Sequence, residues 1–182
     1  MRIINHIHTY LIAIWAGLAL FCAPAGAETV LIADLFDQLQ SATPEQTERI
    51  AKKIESQWSR SGSAAMDVLL SRGVQALEEK DTQAAIEHLS ALIDHAPDFA
   101  HGYVIRASAY FEAGYVGPAL ADLEQALRLN PRHFGAMIGL AVLQEGMQMP
   151  KQALITYQKV LKIMPQHPMV QEAVARLQPM AI

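Results

Sequence analysis

Cysteine is all but missing: Cys22 is the single one in 182 residues. Beyond it the chain offers no disulfide, no thiol nucleophile and no cysteine-held metal. Charge is also sparse, at 18% of residues with a formal net charge of −4, and no Lys/Arg cluster is present. A mildly acidic chain without a basic patch is poorly suited to phosphate backbones, so nucleic acid is excluded as a partner. A Gly-rich phosphate loop and a His-Glu-x-x-His pattern are both lacking. The histidines past residue 27 (His88, His95, His101, His133 and His167) form no close helical pair, so metal binding through them is not expected. The expectation is a protein with no catalytic residue, no cofactor and no metal, and not an enzyme.

What the chain does have is, first, an N-terminus that reads as a secretory signal. Arg2 supplies the positive start, Leu11 to Cys22 is apolar without a charge, and Ala25-Gly26-Ala27 offers the small-x-small pattern of a cleavage site. Cleavage after Ala27 would leave Glu28 as the first residue, in an exported, periplasmic product that is not held at the membrane. The alternatives are an uncleaved anchor, for which the apolar stretch falls short of the roughly 20 residues that span a bilayer, and a lipoprotein signal at Cys22, which Phe21 just before it disfavours.

The second feature is self-similarity. Pro97, Pro131 and Pro165 stand 34 residues apart, as do Ala85, Ala119 and Ala153; Gly73, Ala107 and Ala141; Ile86, Leu120 and Leu154; and Leu89, Leu123 and Tyr157. Within each unit the apolar spacing predicts two helices. Leu69, Leu70, Gly73, Ala76 and Leu77 make the first, with Ile86, Leu89, Leu92 and Ile93 in the second. Turns fall at Glu79-Lys80-Asp81, Gly114 and Met149-Pro150, and each second helix is closed by its proline, which has no N–H to donate. The small columns predict close approach of the two helices of a hairpin.

This pattern resembles the tetratricopeptide repeat, in an exported bacterial form. The resemblance implies an all-α, right-handed solenoid of about three helix hairpins. The expected division is a signal peptide over 1–27, an N-terminal helix pair over 28–63, and an array over 64–182. The array comprises units 66–99, 100–133 and 134–167 and a capping helix over 168–178, whose apolar face is Met169, Val170, Ala173, Val174 and Leu177. In the N-terminal pair, Val30–Leu39 and Pro44–Trp58 read as helices, with Thr43 as N-cap and Pro44 in the first turn. Ala51 keeps the register of Ala85, so this pair is a candidate degenerate repeat, and Ser59–Ser63 is the hinge. Arg72, Arg106 and Gln144 depart from the family pattern and point to local polar contacts.

For function the resemblance implies a concave groove that holds another protein. Its family positions fall on Asp67, Leu70, Val74, Leu77 and Glu78 in the first unit. The second unit places His101, Val104, Ser108, Phe111 and Glu112 there, and the third Gly135, Ile138, Val142, Glu145 and Gly146. Chaperone-binding members of the family hold terminal carboxylates with Lys, Arg and Asn in this groove; none of those types occurs here. An apolar strip flanked by Glu78, Glu112 and Glu145 suits an amphipathic or extended partner segment carrying Lys or Arg, with Phe111 as anchor. Three alternatives stand beside this adaptor reading. The N-terminal helices, through Leu31, Leu35, Phe36 and Leu39, fill the groove themselves; the chain is a permanently docked structural subunit; or it carries a metal or small ligand, for which Met147 and Met149 offer soft thioethers, although methionine more commonly fills cores.

Overall fold

The computed structural model describes residues 25–181, with side chains from Leu31 to Met180. The charged start and apolar stretch of the signal reading therefore lie outside the described residues. The chain divides into two compact units, one ending at Ala33 and the other beginning at Asp34. In the first, residues from Ala25 onward are helical and Leu31 is exposed. Everything below concerns the second.

Among the described residues there are nine α-helices and no strand. They are α1 (Ala25–Ser41), α2 (Pro44–Trp58), α3 (Ala64–Glu78), α4 (Thr82–His95), α5 (Ala100–Glu112), α6 (Val116–Leu129), α7 (Phe134–Gly146), α8 (Pro150–Ile163) and α9 (Pro168–Leu177), with a 3-10 turn over Gln178–Ala181. Helices α3 to α8 make three successive hairpins, so the fold is an all-α tetratricopeptide-type solenoid.

The repeat is written into the backbone as well as the sequence. Proline disfavours helical geometry in the residue before it. Ala96, Asn130 and Met164 accordingly leave the helix at φ −135°, −135° and −130°. Inside each hairpin one residue enters the left-handed region: Lys80 at φ 62°, Gly114 at 81° and Gln148 at 60°. The next residue then donates back into the first helix, from Asp81 to Ala76, Tyr115 to Tyr110 and Met149 to Gln144, each at 2.8 Å.

The small columns sit where the helices touch. Ala85, Ala107, Ala119, Ala141 and Ala153 are all buried, and a Cβ at Gly73 would lie 2.5 Å from Leu89 Cγ. The cores do not stop at hairpin boundaries. Ala109 of α5 joins Leu70, Ala85, Leu89 and Leu92, and Ala136 and Leu143 of α7 join Ala107, Ala119, Leu123 and Ala126. Each unit thus buries its apolar face only against its neighbour, as solenoids do. Helix α9 covers the last hairpin with Val170, Ala173 and Leu177. Met169, assigned to the same face by spacing, is 47% exposed.

Two of the three departures from the family pattern, Arg106 and Gln144, make local polar contacts. Arg106 reaches Asp122 through two nitrogens at 2.7 and 2.8 Å and Ser90 through a third at 3.1 Å. Its guanidinium lies between Tyr103 and Tyr110, 5.7 and 5.6 Å from their ring centres. Thr156 donates its hydroxyl to Gln144 at 2.8 Å. Arg72 is exposed and borders a polar cavity with Gln75, Glu79, Asp81 and His88.

Helix α2 begins with a capping box, in which the Gln46 N–H donates to the Thr43 hydroxyl and the Thr43 N–H to the Gln46 side chain. Leu35, Phe36, Leu39, Thr47, Ile50 and Ile54 are buried, so the pair has docked. Trp58 stacks on His133, with centroids 4.3 Å apart, and meets Phe134 at 5.0 Å and Phe36 at 6.0 Å. Arg132 covers Phe36 at 3.6 Å. Gln40 donates to the carbonyls of Lys162 and Ile163 at 2.8 and 3.0 Å, which the end of α8 leaves without helical partners. Among the described residues, the pair's aromatic contacts and long-range hydrogen bonds run to 132–134 and 162–163, not to α3.

Candidate protein-binding groove

Helices α5 and α7 face one another along the inner side of the array, and between them lies a cavity of about 250 Å³. Val104, Ala107, Ser108, Phe111 and Glu112 line it from α5; Gly135, Gly139, Val142 and Leu143 line it from α7; and Leu123 of α6 forms part of the floor. Its α7 wall carries Gly135 and Gly139 where the preceding unit, 34 residues earlier, has His101 and Ile105. Phe111 and Val142 stand at its mouth, 50% and 39% exposed. Exposed large apolar side chains beside a cavity are the kind of surface that protein interfaces use.

The groove positions inferred from the sequence separate into two sets. Val104, Ser108, Phe111, Glu112, Gly135 and Val142 come together around this cavity. The first-unit residues do not join them. Leu70 is buried, Val74 and Leu77 pack on the first core, and Glu78 is exposed. The Asp67 carboxylate is taken up by the Ser61 N–H at 2.9 Å and hydroxyl at 2.6 Å. Those hydrogen bonds hold its pKa below the ordinary value. Ile138 is half-buried, and Gly146 is exposed at the end of α7.

Glu145 was expected on an acidic rim but is already engaged. Arg176 of α9 grips it at 2.6 and 3.2 Å, and Tyr157 donates its hydroxyl at 2.9 Å. The Arg176 hydrogen bonds lower the Glu145 pKa, while burial and the Glu145 contact push Tyr157 up. The capping helix therefore closes the rim there, and Glu112 is the acid left at the lip of the cavity.

At its other end the groove meets the N-terminal pair. Glu55, Ser56 and Ser59 of the α2 terminus join His101, Val104, Ile105, His133 and Gly135 around a second cavity of about 410 Å³. Val104 and Gly135 line both cavities. The pair thus borders the end where α5 and α7 begin and leaves the middle open. Leu35, Phe36 and Leu39 are buried, but they do not line the cavity between α5 and α7.

His133 is the N-cap of α7. Its Nδ1 accepts the Ala136 N–H at 3.2 Å, which places the ring proton on Nε2, and Nε2 faces His101 Nδ1 at 3.3 Å. Burial lowers His133 to about 3 and His101 to about 4, so both are neutral at pH 7. His167 caps α9 in the same way, accepting from the Val170 N–H. Among the described residues no group of three or more His, Cys, Asp or Glu is placed to hold a metal ion, and Met147 is exposed at the hairpin turn. Nor is any helix there long and apolar enough to cross a membrane.

Glu55 and Gly139 were not singled out from the sequence. Gly139 had a signal, since Gly135 and Gly139 lie four apart on one helical face. Glu55 had none, because only the docking of α2 brings it to the groove.

Comparison with known proteins agrees with this architecture. The family described as tetratricopeptide repeat matches residues 110–177. A TPR repeat-containing protein of Rhizobium etli is 33% identical over 144 residues, covering 79% of this chain and 71% of that one. Among solved structures, the first TPR of Spaghetti (RPAP3), bound to the HSP90 peptide SRMEEVD, is 23% identical. It has a TM-score of 0.61 and covers 64% of this chain and 94% of that one. MamA is 21% identical with a TM-score of 0.59, covering 85% of this chain and 82% of its own.

Proposed function

Because the chain belongs to the tetratricopeptide repeat family, we propose that it is a non-catalytic adaptor that holds a segment of another protein between α5 and α7. The observation that carries this reading is the open apolar cavity with Phe111 and Val142 exposed at its mouth. A similar fold, that of RPAP3, is seen bound to a peptide, which supports a segment as the kind of ligand. The ligand's charge must differ here. The peptide SRMEEVD carries three acids, whereas this cavity has no Lys or Arg in its lining and Glu112 at its lip.

The proposal places the adaptor in the periplasm of a bacterial envelope, on the strength of Arg2, the apolar stretch from Leu11 to Cys22 and the Ala25-Gly26-Ala27 pattern. A chain recovered from the envelope fraction with a mass beginning at Glu28 is the expected product; one retaining Met1 overturns this part.

The test of the adaptor reading compares the full chain with a Val104→Glu, Phe111→Glu double variant of confirmed helicity, each used to capture protein from an envelope extract. One protein held by the wild type and lost from the variant is the expected result. Equal capture by both removes the groove as the binding surface. Stable self-association or a constitutive complex that survives the double variant would favour the permanently docked subunit instead.

A further inference from the structure

We propose that Glu55, at the end of α2, receives a Lys or Arg side chain of the segment held between α5 and α7, so that the N-terminal helix pair sets the charge of the ligand. This rests on the groove reading above.

The starting point is a difference among the acids. Of the Asp and Glu side chains in the described residues, four are not exposed: Glu55, Asp67, Asp122 and Glu145. Three of these have partners within the chain. Asp67 has Ser61, Asp122 has Arg106, and Glu145 has Arg176 and Tyr157. Glu55 is half-buried, and no hydrogen bond or ion pair among the described residues engages its carboxylate. A carboxylate partly withdrawn from water without a protein partner carries a desolvation cost, which a cation arriving with a ligand would offset. Burial pushes the Glu55 carboxyl up, with Lys52 on the same helix pulling weakly the other way.

Its position directs that vacancy toward the groove. Glu55 lines the cavity that shares Val104 and Gly135 with the groove. Its Oε1 lies 3.8 Å from where a Cβ on Gly135 would stand. The missing side chain at Gly135 therefore leaves a passage from the apolar cavity to the carboxylate. The other ionisable walls of that cavity, His101 and His133, are neutral and turned toward one another, so the protein itself supplies no cation there. With Glu112 at the opposite lip, the groove is apolar in the middle and acidic at both ends. Its complement is a segment with one large apolar residue in the cavity and a Lys or Arg on the side facing α2.

The test uses the full chain against a random-peptide library, with Glu55→Gln, Glu55→Lys and Val104→Glu variants whose helicity is first confirmed by circular dichroism. The wild type is expected to select peptides that combine a large apolar residue with Lys or Arg. Replacing that basic residue by Gln should weaken binding about tenfold in the wild type and less than about twofold in Glu55→Gln. Glu55→Lys should select Asp or Glu in its place, a gain that misfolding cannot imitate. If peptides depend on Val104 but show no basic preference, or ignore Glu55, this inference fails while the groove reading stands. If no selected peptide depends on Val104, the groove reading fails and takes this one with it.

Discussion

Trp58 lies stacked on His133, with ring centroids 4.3 Å apart and planes 28° from parallel. One contact thereby joins the N-terminal pair, the N-cap of α7 and the cavity that adjoins the groove where α5 and α7 begin. The stack seals His133 from water, at 1% exposure. The capping bond keeps that ring neutral, because Nδ1 must stay unprotonated to accept the Ala136 N–H.

That burial makes stability depend on pH. Unfolded histidines titrate near 6.5, while His133 falls to about 3 and His101 to about 4. The unfolded chain therefore binds more protons below 6.5, and stability declines as pH falls from there toward the folded values. The slope should approach about 1 kcal/mol per pH unit for each histidine. His167, lowered by burial, acts in the same direction, and Glu55, raised by burial, opposes it. Glu45, Asp67 and Glu145, all lowered, lose their contributions only below their ordinary values of 4.5 and 3.8. Urea midpoints between pH 7 and 4.5 measure the histidine part. His133→Asn keeps a capping acceptor without the titration and should flatten the slope by about half. An unchanged slope would remove the pair as its source.

This histidine pair also marks where sequence reading runs out. The 34-residue columns and the closing prolines are periodic and the Thr43 cap is local, so each shows within a short stretch of sequence or a fixed interval. His101 and His133 are 32 residues apart and meet only because α5 and α7 are neighbours in a stacked array. Arg106 registered as an exception to a column, yet its partner Asp122 lies on the second helix of its own hairpin. Glu145 read as a free rim acid because its partner, Arg176, belongs to the capping helix and not to a repeat. The docking of Trp58 on a unit far along the chain has no periodic signature at all.

The hairpin turns give a prediction from the backbone alone. Lys80, Gly114 and Gln148 occupy one left-handed position in three units, at φ 62°, 81° and 60°. A Cβ in that region costs about 1–2 kcal/mol, which only Gly114 avoids. Lys80→Gly and Gln148→Gly should each raise stability by about 0.5–1 kcal/mol, after the greater freedom of glycine in the unfolded chain is counted. Gly114→Ala should lose a similar amount. Denaturant midpoints at constant slope are the measurement. A fall in stability for both glycine variants would mean the long side chains contribute more there than the strain costs.

Two helical glycines should respond in opposite ways to the same methyl group. A Cβ at Gly73 would lie 2.5 Å from Leu89 Cγ and 2.7 Å from Cδ2, at the branch of a fully buried side chain. Gly73→Ala must therefore push α3 away from α4, costing about 1–3 kcal/mol and outweighing the gain in helix propensity. At Gly135 the nearest atom is 3.4 Å away on the His133 ring, an ordinary contact. Gly135→Ala should thus stabilise the fold, by about 0.5–1 kcal/mol. The same methyl would stand in the passage between the groove and Glu55, so it should weaken ligand binding while the fold gains. Melting and peptide affinity measured on the same Gly135→Ala sample separate the two roles. A gain in stability with weaker binding assigns this glycine to the ligand, whereas a loss of stability assigns it to the packing of α7.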